Sequence, residues 1–149
     1  MGLGGLSIAW QRAETLTGLP AQAAYFCSWF ALLVFAVLLA GYARKLWSNK
    51  EGFLEEFRHP TQIAFVGAIP ISMEVLAVAF VKYQPELAEV FLLIGMPLQL
   101  LVLSVMFRRW LVGEKIDPQA ITPVWFIPCV GGILVPLSGP QLGYVAMAW

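Results

Sequence analysis

One ionisable side chain, Glu74, interrupts an otherwise uncharged run from residue 60 to 81. A charge in the middle of an apolar helix costs about 2.5–3.5 kcal/mol on membrane-insertion scales, so such residues commonly mark ion or substrate pathways. Glu74 follows Pro70 by one helical turn and shares a face with it. Two chemistries fit this placement. One is a proton-coupling or permeant-sensing group. The other is a protonated or hydrogen-bonded carboxyl at a helix contact.

The remaining reactive residues offer little. His59 is the single histidine, so bis-histidine haem ligation and a zinc cluster cannot be built within this chain. Its place before Pro60 fits the start of a helix. Cys27 and Cys129 lie in different apolar stretches without CxxC spacing and read as small packing residues. No glycine-rich phosphate loop leads to a lysine, and no serine-nucleophile motif is present. The expectation is a protein that is not an enzyme and carries no cofactor or metal.

These residues need elements to hold them, and composition names the solvent. Hydrophobic residues make up 60% and charged residues 12% of the 149 positions, against roughly 45–50% and about 25% in soluble domains. Nine basic and nine acidic side chains balance to zero. Disorder, which needs high charge and low hydrophobicity, is excluded. So is general nucleic-acid binding, which needs a basic face. Residues 15–43, 90–107 and 118–149 carry no charge. A spanning helix needs about 20 mainly apolar residues, and lipid cannot satisfy an open backbone. The sequence therefore predicts an all-α integral membrane protein with spans at about 20–43, 61–82, 87–111 and 120–136. Residues 1–11 and 141–149 read as partial helices. The chain thus reads as one incomplete transmembrane domain, a piece of a longer protein or half of an assembly.

Basic residues set the expected orientation. Seven of the nine lie in two segments: Arg44, Lys45, Lys50 and Arg58, then Arg108, Arg109 and Lys115. Loops 44–59 and 108–118 are therefore expected in the cytoplasm, in a multi-pass protein of the cytoplasmic membrane. Phe53 and Phe57, four apart, predict a short helix in the first loop lying on the membrane surface. Trp10, Tyr42, Trp47, Tyr83 and Trp110 fall at predicted helix ends, as interfacial anchors do.

Numbered in order, the five stretches 1–11, 20–43, 61–82, 87–111 and 120–136 alternate in kind. The even ones are smoothly apolar, although Gly95 and Pro97 should bend the second of them. The odd ones carry glycine and proline: Gly2, Gly4 and Gly5; Gly67 and Pro70; Pro128, Gly131 and Gly132. An interior proline frees the carbonyl four residues before it, here Val66 for Pro70 and Val124 for Pro128. Such backbone is tolerated at membrane depth where protein or water covers it. The odd stretches are therefore expected inside and the even ones outside. The recurring unit has one orientation, so its axis should run along the membrane normal, with a transport path near it. Trp125 and Phe126 precede Pro128, where a ring could occlude a pore or serve packing. The pore-lining or kink candidates are Gly4, Gly5, Gly67, Pro70, Glu74, Phe126, Pro128, Gly131 and Gly132.

Three segments resemble one family. They are Met1 to Trp10 with its glycines, Glu56 to Pro60 leading into the Pro70 helix, and Ile121 to Gly132 followed by Val135 to Gly139. Together they are similar to the tellurite-resistance/dicarboxylate transporter family, which includes bacterial tellurite-resistance membrane proteins, fungal malate permeases and plant slow anion channels. The resemblance implies ten helices in five hairpins around a pore axis, of which this chain would hold the N-terminal half. It implies that Pro70 and Pro128 kink pore-lining helices. It further implies a homotrimer in lipid and small inorganic or organic anions as permeants, such as chloride, nitrate or C4-dicarboxylates. The chain departs from the pattern at Gly132, where asparagine is expected, and at Glu74. A rival expectation is a truncated, non-transporting remnant or scaffold that associates with other membrane proteins.

Overall fold

The computed structural model describes residues 1–18, 21–48, 66–112 and 131–144. Helix α1 is Gly2–Thr17, α2 is Ala21–Ser48, α3 is Ala68–Phe80, α4 is Pro85–Val112 and α5 is Val135–Ser138. A 3-10 turn, Pro140–Leu142, follows. No strand occurs among the described residues.

Charge marks the end of the first apolar stretch near Gln11, but the helix continues to Thr17. Arg12 and Glu14 interrupt hydrophobicity without breaking a helix. Gly18 breaks it, at φ 71°, and its amide bonds the Glu14 carbonyl at 2.9 Å. That left-handed cap suits glycine, which has no Cβ to clash. Trp10 consequently lies inside α1 and not at its end.

Helices α2 and α4 have 28 residues each. At about 1.5 Å per residue that is about 42 Å, longer than the roughly 30 Å hydrocarbon core. Among the described residues these two are long and apolar enough to cross a membrane, over Gln22–Lys45 and Pro85–Arg108. Both expose large apolar side chains, among them Phe26, Phe30, Leu33 and Val37 on α2, and Val90, Ile94, Leu100 and Leu101 on α4.

Helix α3 is different. It has 13 residues, and nine are buried, including Pro70, Ile71, Glu74, Val75 and Phe80. A helix apolar on every side belongs in the interior of a bundle. Val66 is also helical, and Gly67 interrupts the run as a buried turn. Pro70 therefore falls in the first turn of α3, where its missing amide needs no helical partner.

Contacts fix the directions. Going along α1, Gly4 meets Val75, Gln11 meets Ala79 and Glu14 meets Lys82, so α1 and α3 run the same way. Trp29 stacks edge-on against Phe80 and Tyr25 against Tyr83, so α2 runs oppositely to α3. Gly131 approaches Gln99, and the Tyr144 hydroxyl donates to the Glu89 carboxylate. The segment 131–144 therefore runs antiparallel to α4 and parallel to α3. The odd elements share one direction and the even ones the other.

The helices cannot rely on hydrophobic expulsion in lipid, so close packing and interhelical hydrogen bonds must hold them. Ala31, Leu76, Phe80 and Ala88 form the buried cluster joining α2, α3 and α4. A polar staple joins α1, α2 and α3. Ser7 and Ser28 hydroxyls lie 2.6 Å apart, and each reaches the Ala24 carbonyl, at 2.9 and 3.0 Å. The Gln11 amide donates to the Ala79 carbonyl at 2.8 Å.

Candidate functional site

One stretch of α3, Pro70 to Val75, is gripped by a glycine from each of three neighbouring elements. A β-carbon on Gly4 of α1 would lie 2.5 Å from Val75 Cγ1. One on Gly95 of α4 would lie 3.3 Å from both Glu74 Cγ and Met73 Cβ and 3.4 Å from the Pro70 carbonyl oxygen. One on Gly131 would lie 2.8 Å from Ile71 Cγ1 and 2.7 Å from Gln99 Nε2. Ile71 and Val75 are four apart and share a face of α3. That face receives the two odd elements, while Glu74 lies against α4.

Two buried polar side chains stand at this level. Glu74 has no exposed surface, and neither carboxyl oxygen has a hydrogen-bond partner among the described residues. Gln99 on α4 is 2% exposed, one turn beyond Gly95. Polar groups so placed are costly in an apolar interior, and they concentrate at sites that handle ions or polar substrates.

Of the residues singled out from sequence, Gly4, Pro70, Glu74 and Gly131 converge here. Gly67 sits just before, as the buried residue preceding α3. Gly5 does not join them: it is exposed, with nothing within 4 Å of an added β-carbon. Gly132 is an exposed turn residue. Phe126, Pro128, Trp125, His59 and Cys129 lie outside the described residues, as do Phe53 and Phe57. Cys27 is a free, partly buried thiol. Among the described residues no three His, Cys, Asp or Glu side chains cluster as metal ligands would.

Sequence reasoning missed Gly95 and Gln99 as members of the site, because α4 reads as an outer helix. The signal was present: Gln99 is the only polar side chain between Glu89 and Ser104. It also missed the staple, although Ser7 and Gln11 are spaced to share a helix face.

At the opposite end of α3 an ion pair takes over. Lys82 Nζ bonds Glu14 Oε1 at 3.0 Å, linking α1 to the α3–α4 turn. The Lys82 ammonium also lies 5.9 Å from the Tyr83 ring centre. Burial pushes the Tyr83 phenol above its ordinary range, with Lys82 opposing and Glu14 reinforcing. Gln22, Tyr25, Phe26 and Tyr83 line an open groove beside it.

Known proteins share this architecture's sequence. Residues 1–148 match the model of the voltage-dependent anion channel family. The chain belongs to that family. It is 26% identical over 145 residues to a tellurite resistance protein TehA homologue of Haemophilus influenzae, covering 97% of this chain and 44% of that protein. Two uncharacterized transporters of Methanocaldococcus jannaschii are 30% and 28% identical over 117 residues, covering 74% of this chain and 33% of each. The chain thus spans between a third and just under half the length of these relatives. Family membership and the two long apolar helices mark a membrane protein, and a channel or transporter family fits the absence of enzyme motifs.

Proposed function

We propose that this chain forms the first hairpins of a pore that carries small inorganic or organic anions across the cytoplasmic membrane. The path is lined by the odd elements: α1 with Gly4 and Gly5, α3 with Gly67 and Pro70, and the 120–136 stretch with Phe126, Pro128, Gly131 and Gly132, while Glu74 stands behind it against α4. Loops 44–59 and 108–118 face the cytoplasm. The whole protein completes five hairpins around the pore axis and assembles as a homotrimer. Chloride, nitrate and C4-dicarboxylates are the permeant classes.

The observation that carries this reading is the common direction of α1, α3 and segment 131–144, joined through glycine contacts on one stretch of α3. Parallel repeats about an axis along the membrane normal place a transport path between them. No basic residue lies deep in any of the four predicted spans. Anions would therefore meet only backbone dipoles and polar side chains, which favours weak binding and fast release.

The test is flux through liposomes carrying the whole protein, with chloride, nitrate and malate supplied in turn. Flux that depends on the anion supplied is expected. Flux no greater than in protein-free liposomes, or indifferent to anion identity, would remove the reading in favour of a scaffold role.

A further inference from the structure

The glycine contacts explain how α3 is held, but they leave Glu74 without a role. Its side chain is fully buried, both oxygens lack partners among the described residues, and its Cγ sits against the bare backbone of Gly95. A carboxylate stripped of water and given no donor must have its charge cancelled.

Among the described residues no protein cation is placed to cancel it. On α3 and its following turn, Lys82 is eight residues on, about 12 Å along the axis, and it is engaged by Glu14. On α1, Arg12 is eight residues beyond Gly4, again about 12 Å. The Met1 amino group begins α1 about 5 Å before Gly4, on a residue 48% exposed. On α4, Glu86 and Glu89 lie about 14 and 9 Å from Gly95 and bring only negative charge, while Arg108 lies about 20 Å away. On α2, Arg44 and Lys45 stand near the far end of the helix, well beyond the Ala24 and Ser28 contacts with α1. Segment 131–144 holds no ionisable group except Tyr144, which donates to Glu89.

A backbone oxygen, by contrast, lies at the same contact. Pro70 is one turn before Glu74, and its carbonyl oxygen, like the Glu74 side chain, lies against Gly95. Backbone carbonyls are among the groups with which transporters hold a coupling ion.

We propose that Glu74 binds one small monovalent cation, a proton or a sodium ion, between α3 and α4. The bound cation lets the two helices close at Gly95. Its loss leaves a bare carboxylate that draws water into the hairpin and separates them. Resting on the transport reading, the bound cation would gate anion passage without itself crossing with the anion.

The binding itself is tested without transport, by thermal unfolding of the whole purified protein in detergent. A ligand bound only by the folded state raises the midpoint as it is supplied. Unfolding is followed from mildly acidic to mildly alkaline pH, in sodium and in an organic cation at equal ionic strength. If the cation is a proton, acidification raises the midpoint in either salt. If it is sodium, the midpoint rises with sodium alone and most at alkaline pH. Glu74→Gln should lose the response, and Glu74→Asp, which keeps a carboxyl, should retain it. A wild-type midpoint that follows neither cation overturns the proposal, and so does a Glu74→Gln response equal to that of wild type. A protein that shows the cation response yet conducts no anion would refute the transport reading and leave the site standing.

Discussion

Adjacent glycines on α1 should respond oppositely to the same substitution. Gly4 is buried, and an added β-carbon would meet Val75 Cγ1 at 2.5 Å. That is closer than real carbon contacts, and valine is too stiff at χ1 to swing aside freely. Overpacking of this kind costs about 1–3 kcal/mol, from which alanine's better helix propensity recovers about 0.8–1 kcal/mol. Gly4→Ala should therefore destabilise by up to about 2 kcal/mol. At about 2–4 °C per kcal/mol for a chain of this size, its melting midpoint should fall by up to about 8 °C. Gly5 is exposed, with no neighbour within 4 Å, so Gly5→Ala should gain about 0.5–1 kcal/mol. Thermal unfolding in one detergent compares the two directly. A Gly4→Ala/Val75→Ala double variant should lose less than the two singles sum to, with a coupling of about 0.5–3 kcal/mol. If both alanines shifted the midpoint equally and in one direction, the reasoning from the α1–α3 contact would be refuted.

Three further outcomes follow from the same packing and charges. Gly131→Ala should destabilise more than Gly132→Ala, since a β-carbon at buried Gly131 would meet Ile71 Cγ1 at 2.8 Å whereas Gly132 is exposed; relative melting midpoints check this. Gln11→Ala removes the donor to the Ala79 carbonyl and should cost about 0.6 kcal/mol, the average for interhelical bonds in membranes, and at most about 1.7 kcal/mol; equilibrium unfolding in mixed micelles measures it. Tyr83 is held neutral by burial, so the stability it contributes is present below the ordinary tyrosine range and lost as pH rises through its raised folded value. In an alkaline absorbance titration, Tyr83→Phe should remove one of the late-ionising phenols.

How much of this was legible in the sequence depends on which force set each feature. Lipid imposes helices, and the uncharged runs reveal them, so α2 and α4 were readable from composition. Glu74 and the glycines of the odd stretches were readable as candidates, because charge and bare backbone are anomalous in an apolar helix. Helix ends were read less well. The loss of hydrophobicity at Arg12 was visible, but the helix ends where Gly18 adopts a left-handed backbone, six residues later. The partners of the candidates were not legible. Which glycine meets which side chain depends on helix rotation and depth, and those are set by packing between elements far apart in sequence. Thus Gly4 and Gly5, alike in sequence, face a valine and open space respectively. Gln99 on α4 joins the inner site although its helix otherwise faces outward.

The central claim is that anions cross the membrane through the protein to which this chain belongs. The most direct measurement is the reversal potential of current through the whole protein in a planar bilayer, under a gradient of potassium chloride. The account predicts a potential near the chloride equilibrium value, shifting when nitrate or malate replaces chloride on one side and unmoved when sodium replaces potassium. A potential that follows the cation gradient, or no current above the bare bilayer, would contradict it.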